Sequence, residues 1–223
     1  MNIINLKVKY NQETIINNLN FQIANEEIIA IVGKSGSGKT TLLKAILNNI
    51  DYEGIIQKEN KNIGYMPQDL ALFEFKTVYQ NIILPLKIQA KNIDKQKIDK
   101  LLKDFEIYQL KDVKVQKISG GQKSRVALIR AIVNEDKLWL LDEPLSKLDY
   151  ITKYESLTII KNLQKKYKIS IIYVTHDLDE AVTIANKIFI MNPQNYQLLK
   201  LNNNQEQIKQ KIINELKSST NKL

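Results

Sequence analysis

The segment GKSGSGKT, residues 33–40, has the residue types and spacing of a loop that binds nucleotide phosphates. It matches G-x-x-x-x-G-K-[ST] and lies between an apolar run and an amphipathic helical pattern. Its glycines let backbone N–H groups converge on phosphate oxygens, and Lys39 adds a positive charge. The Thr40 hydroxyl is an oxygen ligand of the kind that Mg²⁺ takes. The segment therefore predicts nucleotide binding with Mg²⁺; a ligand-free glycine turn is the alternative.

Two adjacent acids, Asp142 and Glu143, end a second apolar run, LWLLDEP. At the end of a buried strand, Asp142 can act on Mg²⁺ through a water molecule. Glu143 projects differently, and a glutamate beside an attacking water can act as a general base or orient that water. The pair predicts nucleotide hydrolysis; two surface acids at a strand end are the alternative.

A third polar segment, ISGGQ at residues 118–122, runs directly into a helical pattern. The first-turn N–H groups and the dipole of such a helix favour an anion. The chain thus carries two predicted phosphate-binding helix starts. The residues alone leave open which phosphate the second one holds.

Strand and helix patterns alternate around these segments. Partial alternation over residues 2–23 predicts strands, and the apolar runs EIIAIVG and ISIIYVTHD predict buried ones. The loop is followed by a helix with one apolar face, formed by Leu42, Leu43, Ile46 and Leu47. The alternation favours a mostly parallel sheet with right-handed crossovers.

The character of the sequence changes from about Glu74 to Gln116. The segment KIQAKNIDKQKIDKLLKDFEIYQL within it is Lys-rich and helical in period, which predicts a helical subdomain inserted into a sheet-based core. Its predicted apolar side consists of Ile93, Ile98, Leu101, Leu102 and Phe105. The tail from about Gln194 is polar. Helical spacing of Ile208, Ile212 and Leu216 predicts a docked helix within that tail.

Composition limits the function classes. The 223 residues suffice for one large domain, and 43% hydrophobic with 26% charged residues is typical of a globular protein. The absence of cysteine excludes disulfides, thiolate zinc sites and cysteine nucleophiles. The apolar runs are shorter than the ~18–20 residues of a membrane span, and the start of the sequence lacks the apolar region of a signal peptide.

The formal charge of +9 is compatible with a nucleotide ligand and with proximity to a membrane surface. Dense Lys/Arg blocks and interleaved aromatic and basic residues are both missing from the sequence. A nucleic-acid partner is therefore not expected.

Together these segments resemble the nucleotide-binding subunit of ABC transporters, over residues from about Lys7 to Met191. ISGGQ resembles the family's LSGGQ signature, with Ile118 in place of leucine. MPQD at 66–69 resembles the Q-loop, LSKLD at 145–149 the D-loop, and VTHD at 174–177 the switch-histidine motif.

The resemblance implies an α/β fold, a P-loop NTPase (RecA-like) core with an N-terminal antiparallel β region and an inserted α-helical subdomain. We expect the β region and first part of the core at 1–74 and the helical subdomain at 75–125. The second part of the core follows at 126–193, and a partly helical polar tail at 194–223.

The resemblance also assigns roles. Glu143, His176 and Gln68 are expected to be catalytic, with His176 contacting the γ-phosphate. Mg²⁺ would be held by Thr40, Gln68 and, through water, Asp142. The residues expected to bind ATP in the same chain are Tyr10, which would stack on adenine, and Gly33, Lys34, Ser35, Gly36, Ser37, Gly38, Lys39, Thr40 and Thr41.

In this family two subunits pair head to tail, and each ATP lies between one phosphate loop and the partner's signature. The residues expected to act in trans are therefore Ser119, Gly120, Gly121 and Gln122, with Asp149 at the D-loop. One sequence can supply both halves of such a twofold pair. ATP binding would close the dimer, and hydrolysis would open it. The alternatives are that Tyr10 is a plain strand residue, Gln68 a turn residue and His176 a structural residue.

The stretches FKTVYQNIILPLKI and VTHDLDEAVTIANKI resemble importer subunits of the nitrate, sulfonate and taurine type. That likeness implies a cytoplasmic ATPase, peripheral on the inner face of the membrane. Its expected partners are transmembrane permease subunits that dock near residues 70–78, a second copy or similar ATPase subunit, and an extracytoplasmic solute-binding protein. There are two alternatives. One is a lipoprotein- or peptide-export ATPase, although the signature of such proteins more often ends in Glu, where this chain has Gln122. The other is a non-transport ABC ATPase.

Overall fold

The structure is a computed structural model that describes residues 1–11, 13–58, 63–134, 137–192, 195–200 and 205–218, with side chains up to residue 192 and for 207–214. Its residues group into two compact units. The first unit comprises Met1–Lys61 and Ser170–Leu223, and the second unit comprises Asn62–Ile169.

The first unit contains the antiparallel β region predicted from the sequence. Strands β1 (Asn2–Tyr10), β2 (Glu13–Gln22) and β4 (Glu53–Gln57) pair antiparallel in the order β2-β1-β4. Ile3, Leu6 and Val8 of β1 are buried. The partial alternation in the sequence is thus the inward and outward alternation of these strands.

The first unit also contains a parallel sheet. Strand β3 (Ile28–Val32) pairs in parallel with β7 (Ser170–Thr175) on one side and with β8 (Lys187–Asn192) on the other. Every residue of β3 and β7 is buried. Continuous burial accounts for the unbroken apolar runs in the sequence, as expected for parallel strands.

Among its described residues, the first unit contains the helices α1 (Lys39–Ile46), α7 (Leu178–Ile184) and α8 (Gln205–Ser218). The predicted tail helix is α8, whose Ile208 and Ile212 join the core formed with β3, α7 and β8. The side chain of Leu216 lies outside the described residues.

The tail was expected to be polar and partly helical, but it begins with a strand. Strand β9 (Asn195–Lys200) pairs antiparallel with β8, from Asn192↔Asn195 to Lys187↔Lys200. The backbone forms this ladder, so a segment without a clear apolar pattern can form an edge strand.

The second unit pairs two short parallel strands, β5 (Gly64–Met66) and β6 (Leu138–Asp142). Its helices are α2 (Val78–Ile82), α3 (Leu84–Ile88), α4 (Lys95–Asp104), α5 (Gly120–Ile132) and α6 (Tyr150–Tyr167), with 3₁₀ turns at Tyr108–Leu110 and Val115–Lys117. This helical content agrees with the helical period of the sequence after Glu74.

That helical pattern is interrupted between α3 and α4. Ala90 has a left-handed φ of 50°, and the Asp94 carboxylate caps α4 by accepting a hydrogen bond from the Lys97 amide. Ile93 therefore lies between two helices and is half-buried. The rest of the predicted apolar side, Ile98, Leu101, Leu102 and Phe105, is buried.

Within the described residues, no helix combines the length and apolarity required to cross a bilayer.

Candidate functional site

The loop between β3 and α1 is built for close approach of its backbone. Gly36 and Gly38 have φ values of +77° and +93°, which L side chains rarely adopt. A Cβ atom at Gly33 would lie 2.5 Å from both the Met191 carbonyl oxygen and Ser37 Oγ. Glycine therefore avoids backbone strain at positions 36 and 38 and a steric clash at position 33.

Lys39 holds a positive charge inside this loop. It is 7% exposed, and its Nζ donates to the carbonyl oxygens of Gly33 and Lys34, each at 2.8 Å. Helix α1 starts beside it, with Gly38 as an N-cap that has no side chain. The first-turn N–H groups of α1 and the ammonium group together favour an anion at this loop.

A buried hydroxyl supports the same conclusion. Ser37 Oγ is buried and has no hydrogen-bond partner among the described residues. Buried polar atoms normally have partners, so this one indicates a position that a ligand would complete. Of the other predicted loop residues, Lys34, Ser35, Gly36 and Thr40 are exposed, and Thr41 is half-buried.

Strand register brings His176 to the edge of the sheet where this loop begins. Val32 and Thr175 are partners in the parallel pairing of β3 and β7. Gly33 and His176 are the next residues of their chains, so both leave the sheet at the same level. The His176 side chain is exposed.

Tyr10 ends β1 in the hairpin that packs against the loop. A Cβ atom at Gly38 would lie 3.2 Å from Ile15 Cγ2 and 3.4 Å from Ile16 Cγ1, both in β2. Ile16 pairs with Val8, two residues before Tyr10. Tyr10 as a residue is 42% exposed, which makes it available for contact with a planar ligand.

In the second unit, Gln68 and Glu143 come together. Met66 of β5 and Leu141 of β6 are in register, so the segments that follow them leave one edge of the strand pair. Gln68 Nε2 donates to Glu143 Oε2 at 3.0 Å. Glu143 has a left-handed φ of +46°, whereas the preceding Asp142 is 3% exposed at the end of β6.

The acids at this edge of the second unit create a negative environment. The pKa of Tyr65 is raised to about 12, chiefly by burial and then by the charges of Asp142 and Asp69. A tyrosine that resists ionisation beside two carboxylates indicates a position that favours a cation.

The SGGQ segment forms the N-terminus of α5. Ser119 Oγ accepts a hydrogen bond from the Gln122 amide at 3.3 Å, and Gln122 Oε1 accepts one from the Ser119 amide at 3.0 Å. These two bonds form a capping box that fixes the helix start. A Cβ atom at Gly120 would meet only Leu148 Cδ2, at 3.7 Å, so this part of α5 stays accessible.

Gly121 and Asp149 both lie beside Thr152 of α6. A Cβ atom at Gly121 would lie 2.6 Å from Thr152 Cγ2, so glycine permits the close packing of α5 on α6. The Asp149 carboxylate accepts a hydrogen bond from the Thr152 amide at 3.0 Å, and this bond lowers its pKa. The structure therefore brings the start of α5 and the start of α6 together.

Sequence reasoning missed Arg130. The guanidinium group of this α5 residue donates to the carbonyl oxygens of Leu70 and Ala71, whose φ values are the left-handed +59° and +46°. Burial lowers the pKa of Arg130, while Asp69 opposes that shift. The available signal was composition, because Arg125 and Arg130 are the two arginines among 33 basic residues.

A cleft of about 290 Å³ in the second unit borders the segment that Arg130 holds. Gln68, Gly120, Lys123 and Glu143 are among its lining residues. The start of α5 therefore opens onto the same cleft as the Gln68–Glu143 pair.

Sequence reasoning also missed Glu180. The stretch DLDEA reads as an acidic helix start, yet Glu180 is 2% exposed. Its position four residues after His176 was the available signal, since that spacing puts it in the first turn of the helix that follows.

The comparisons with known proteins agree with this arrangement. The sequence model of the family described as ABC transporter matches residues 16–146. Spermidine/putrescine import ATP-binding protein PotA of Acetivibrio thermocellus is 36% identical over 202 residues, covering 84% of this chain and 57% of that protein. Fe(3+) ions import ATP-binding protein FbpC of Fusobacterium nucleatum is 38% identical over 200 residues, covering 84% and 54%. The chain thus spans just over half the length of these curated relatives.

A solved structure supports the fold. An ATP-binding cassette captured as a dimer in a post-hydrolysis state with ADP and phosphate superimposes with a TM-score of 0.78 at 26% identity. The superposition covers 91% of this chain and 99% of that one. The antiparallel and parallel sheets and the helices described above have the α/β fold of that ATPase.

Proposed function

The chain belongs to the ABC transporter family, and from this premise we propose that it binds and hydrolyses ATP for a transporter. Closure of an ATP-bound dimer would be coupled to solute transport through separate membrane subunits. The loop between β3 and α1 carries this proposal, because Lys39 places a buried positive charge there and the buried Ser37 hydroxyl has no hydrogen-bond partner among the described residues.

Within this function, residues 33–41 bind the triphosphate. The adenine ring stacks on Tyr10, which is exposed. Tyr10 is the last residue of β1, and the neighbouring strand β2 packs on Gly38 of the loop. His176 contacts the γ-phosphate, which is supported by its position beside the loop at the edge of the sheet.

The oxygen atoms of the residues proposed to hold Mg²⁺ are of the kinds that this ion binds. Thr40, Gln68 and Asp142 offer a hydroxyl, an amide oxygen and a carboxylate, the hard oxygen ligands that this ion prefers. The Gln68 amide nitrogen makes the hydrogen bond to Glu143, which leaves the amide oxygen for a cation. When bound, Mg²⁺ neutralises charge on the β- and γ-phosphates. Asp142 would act through a water molecule, and Glu143 would orient or deprotonate the attacking water.

The second phosphate-binding helix start acts on another subunit's nucleotide. We propose that Ser119, Gly120, Gly121 and Gln122 of one copy contact the γ-phosphate held by the loop of its partner, with Asp149 nearby. The capping box and the accessible Gly120 present this helix start to a partner. The partner is a second copy or a similar ATPase subunit.

We further propose that the system imports a small solute. The two curated relatives are named as import ATP-binding proteins for spermidine/putrescine and for Fe(3+). The nitrate, sulfonate and taurine type stays a prediction from the sequence. An extracytoplasmic solute-binding protein and a location on the inner face of the membrane belong to the same proposal.

The membrane subunits are proposed to dock near residues 70–78. Phe73 is 49% and Phe75 82% exposed there, which is unusual for aromatic side chains and typical of a contact surface. The division into a core at 1–74 and 126–193, a helical subdomain at 75–125 and a tail at 194–223 likewise remains a proposal.

Equilibrium titration with ATP tests the proposal. Lys39→Ala should weaken ATP binding about tenfold or more, because the loop loses its buried cation. The matched control is Lys44→Ala, an exposed lysine in the same helix, which should bind ATP as the unaltered protein does. Equal affinity of the Lys39→Ala and Lys44→Ala proteins would contradict the proposed site.

A further inference from the structure

The turn that carries His176 is tied to a buried carboxylate. Glu180, in the first turn of α7, is 2% exposed, and its Oε2 accepts hydrogen bonds from Tyr173 Oη and Thr175 Oγ1, both at 2.8 Å. Burying a carboxylate is unfavourable unless hydrogen bonds replace its hydration. Two hydroxyl donors on one oxygen are therefore strong, directional contacts.

The Thr175 hydroxyl, one residue before His176, makes hydrogen bonds to two residues that follow His176. It donates to Glu180 and accepts a hydrogen bond from the Asp177 amide at 3.0 Å. Thr175 is the last residue of β7, and Asp177 caps α7 by accepting from the Asp179 and Glu180 amides. The backbone on both sides of His176 is thus fixed by one hydroxyl and one cap.

The same turn is held in register with the phosphate-binding loop. Thr175 pairs with Val32, the residue before Gly33. A small change in the Thr175–Asp177 turn would therefore move His176 relative to that loop, while β3 and β7 stay paired.

We propose that Glu180 is a positioning residue for His176, acting through the Thr175 hydroxyl. The Tyr173 hydroxyl holds the carboxylate from within β7. At 2% exposure Glu180 is too buried to meet a nucleotide, so its effect passes through the turn. The consequence for turnover rests on the proposed function, in which His176 contacts the γ-phosphate.

The chain offers a direct readout, because His176 is its sole histidine. In protein labelled with ¹³C-histidine, the imidazole signals in a proton–carbon correlation spectrum belong to this residue without further assignment. Glu180→Leu, which removes the acceptor of both hydroxyl groups, and Thr175→Val should shift those signals at fixed pH and without nucleotide. Thr175→Ser keeps the hydroxyl and should restore the unaltered spectrum. Asp179→Asn changes an exposed acid in the same helical turn and is the matched control.

Turnover provides the second readout. Glu180→Leu and Thr175→Val should lower kcat about tenfold or more, while KM for ATP stays within about twofold, because the triphosphate loop is intact and only the orientation of His176 has changed. Thr175→Ser and Asp179→Asn should keep the kcat of the unaltered protein.

The two readouts separate the inference from the proposed function. Shifted imidazole signals in a protein without ATPase activity would support the positioning role and contradict the proposed function. Thr175→Val keeps the side-chain volume and is the milder of the two changes, so it tests the role even if Glu180→Leu does not fold. Unshifted signals and unchanged kcat in Thr175→Val would overturn the positioning role.

Discussion

Gln68 Nε2 and Glu143 Oε2 are joined by a hydrogen bond of 3.0 Å between segments that follow two paired strands. The bond fixes the Glu143 carboxylate, whose backbone is left-handed. Asp142, one residue earlier, is buried at the strand end. The two neighbouring acids thus have different surroundings. This difference is what the proposed roles would require, with Asp142 acting on Mg²⁺ and Glu143 acting on water.

Replacement of Glu143 by Gln keeps the size and hydrogen-bonding capacity of the side chain but removes the base. We expect kcat to fall at least about a hundredfold, within the usual range for loss of a general base, while ATP affinity changes less than twofold. Phosphate release and equilibrium titration measure the two quantities. Asp51→Asn, an exposed acid before β4, is the control; near-normal hydrolysis by Glu143→Gln would refute the assigned role.

Arg130 is expected to hold the segment that presents Gln68. Arg130→Lys keeps the charge but cannot donate to the Leu70 and Ala71 carbonyl oxygens in the same planar geometry. A hydrogen bond to a charged group contributes about 1.5–3 kcal/mol to stability, so we expect thermal stability to decrease. We also expect kcat to fall about tenfold, because the segment that presents Gln68 is then held less firmly.

The second arginine provides the control for this experiment. Arg125 donates to the Phe105 carbonyl oxygen and to Glu106 rather than to the Leu70–Ala71 segment. Arg125→Lys should therefore keep its turnover. If both variants lose turnover equally, the effect is a general loss of stability and Arg130 has no specific role in presenting Gln68.

Tyr10 is expected to contribute through its ring. Tyr10→Ala should weaken ATP binding about fivefold or more, because stacking of a base on an aromatic ring contributes about 1–3 kcal/mol. Tyr10→Phe should bind as the unaltered protein does. Inorganic tripolyphosphate, which has no base, should bind Tyr10→Ala and the unaltered protein equally. Tyr108, also 42% exposed, supplies the control variant Tyr108→Ala; an equal loss of ATP affinity in both alanine variants would exclude stacking on Tyr10.

Much of the fold could be predicted because local signals and tertiary packing agree. Strands β3, β6 and β7 are fully buried and mostly apolar in sequence, and the glycines before α1 mark the start of that helix. Strand β4 is mostly exposed and β9 lies in a polar tail, so main-chain pairing forms them without a clear apolar pattern.

The motif residues could be located in sequence because each follows a strand end or starts a helix. The contacts of Arg130 and Glu180 could not. Arg130 bonds to residues 59 and 60 positions away, and a spacing of that size carries no local pattern. The sequence around Glu180 is typical of a solvent-facing acid. In the structure Glu180 is instead buried and accepts hydrogen bonds from Tyr173 and Thr175.

The proposed function depends most on ATP bridging two copies of the chain. Light scattering of the Glu143→Gln protein, with and without ATP and Mg²⁺, measures this directly. We predict that ATP raises the mass from 25.8 kDa to about twice that value. Adding Ser119→Arg in the same background should keep the protein monomeric while it still binds ATP. A Glu143→Gln protein that stays monomeric at high concentration with ATP bound would contradict the proposed bridging by ATP.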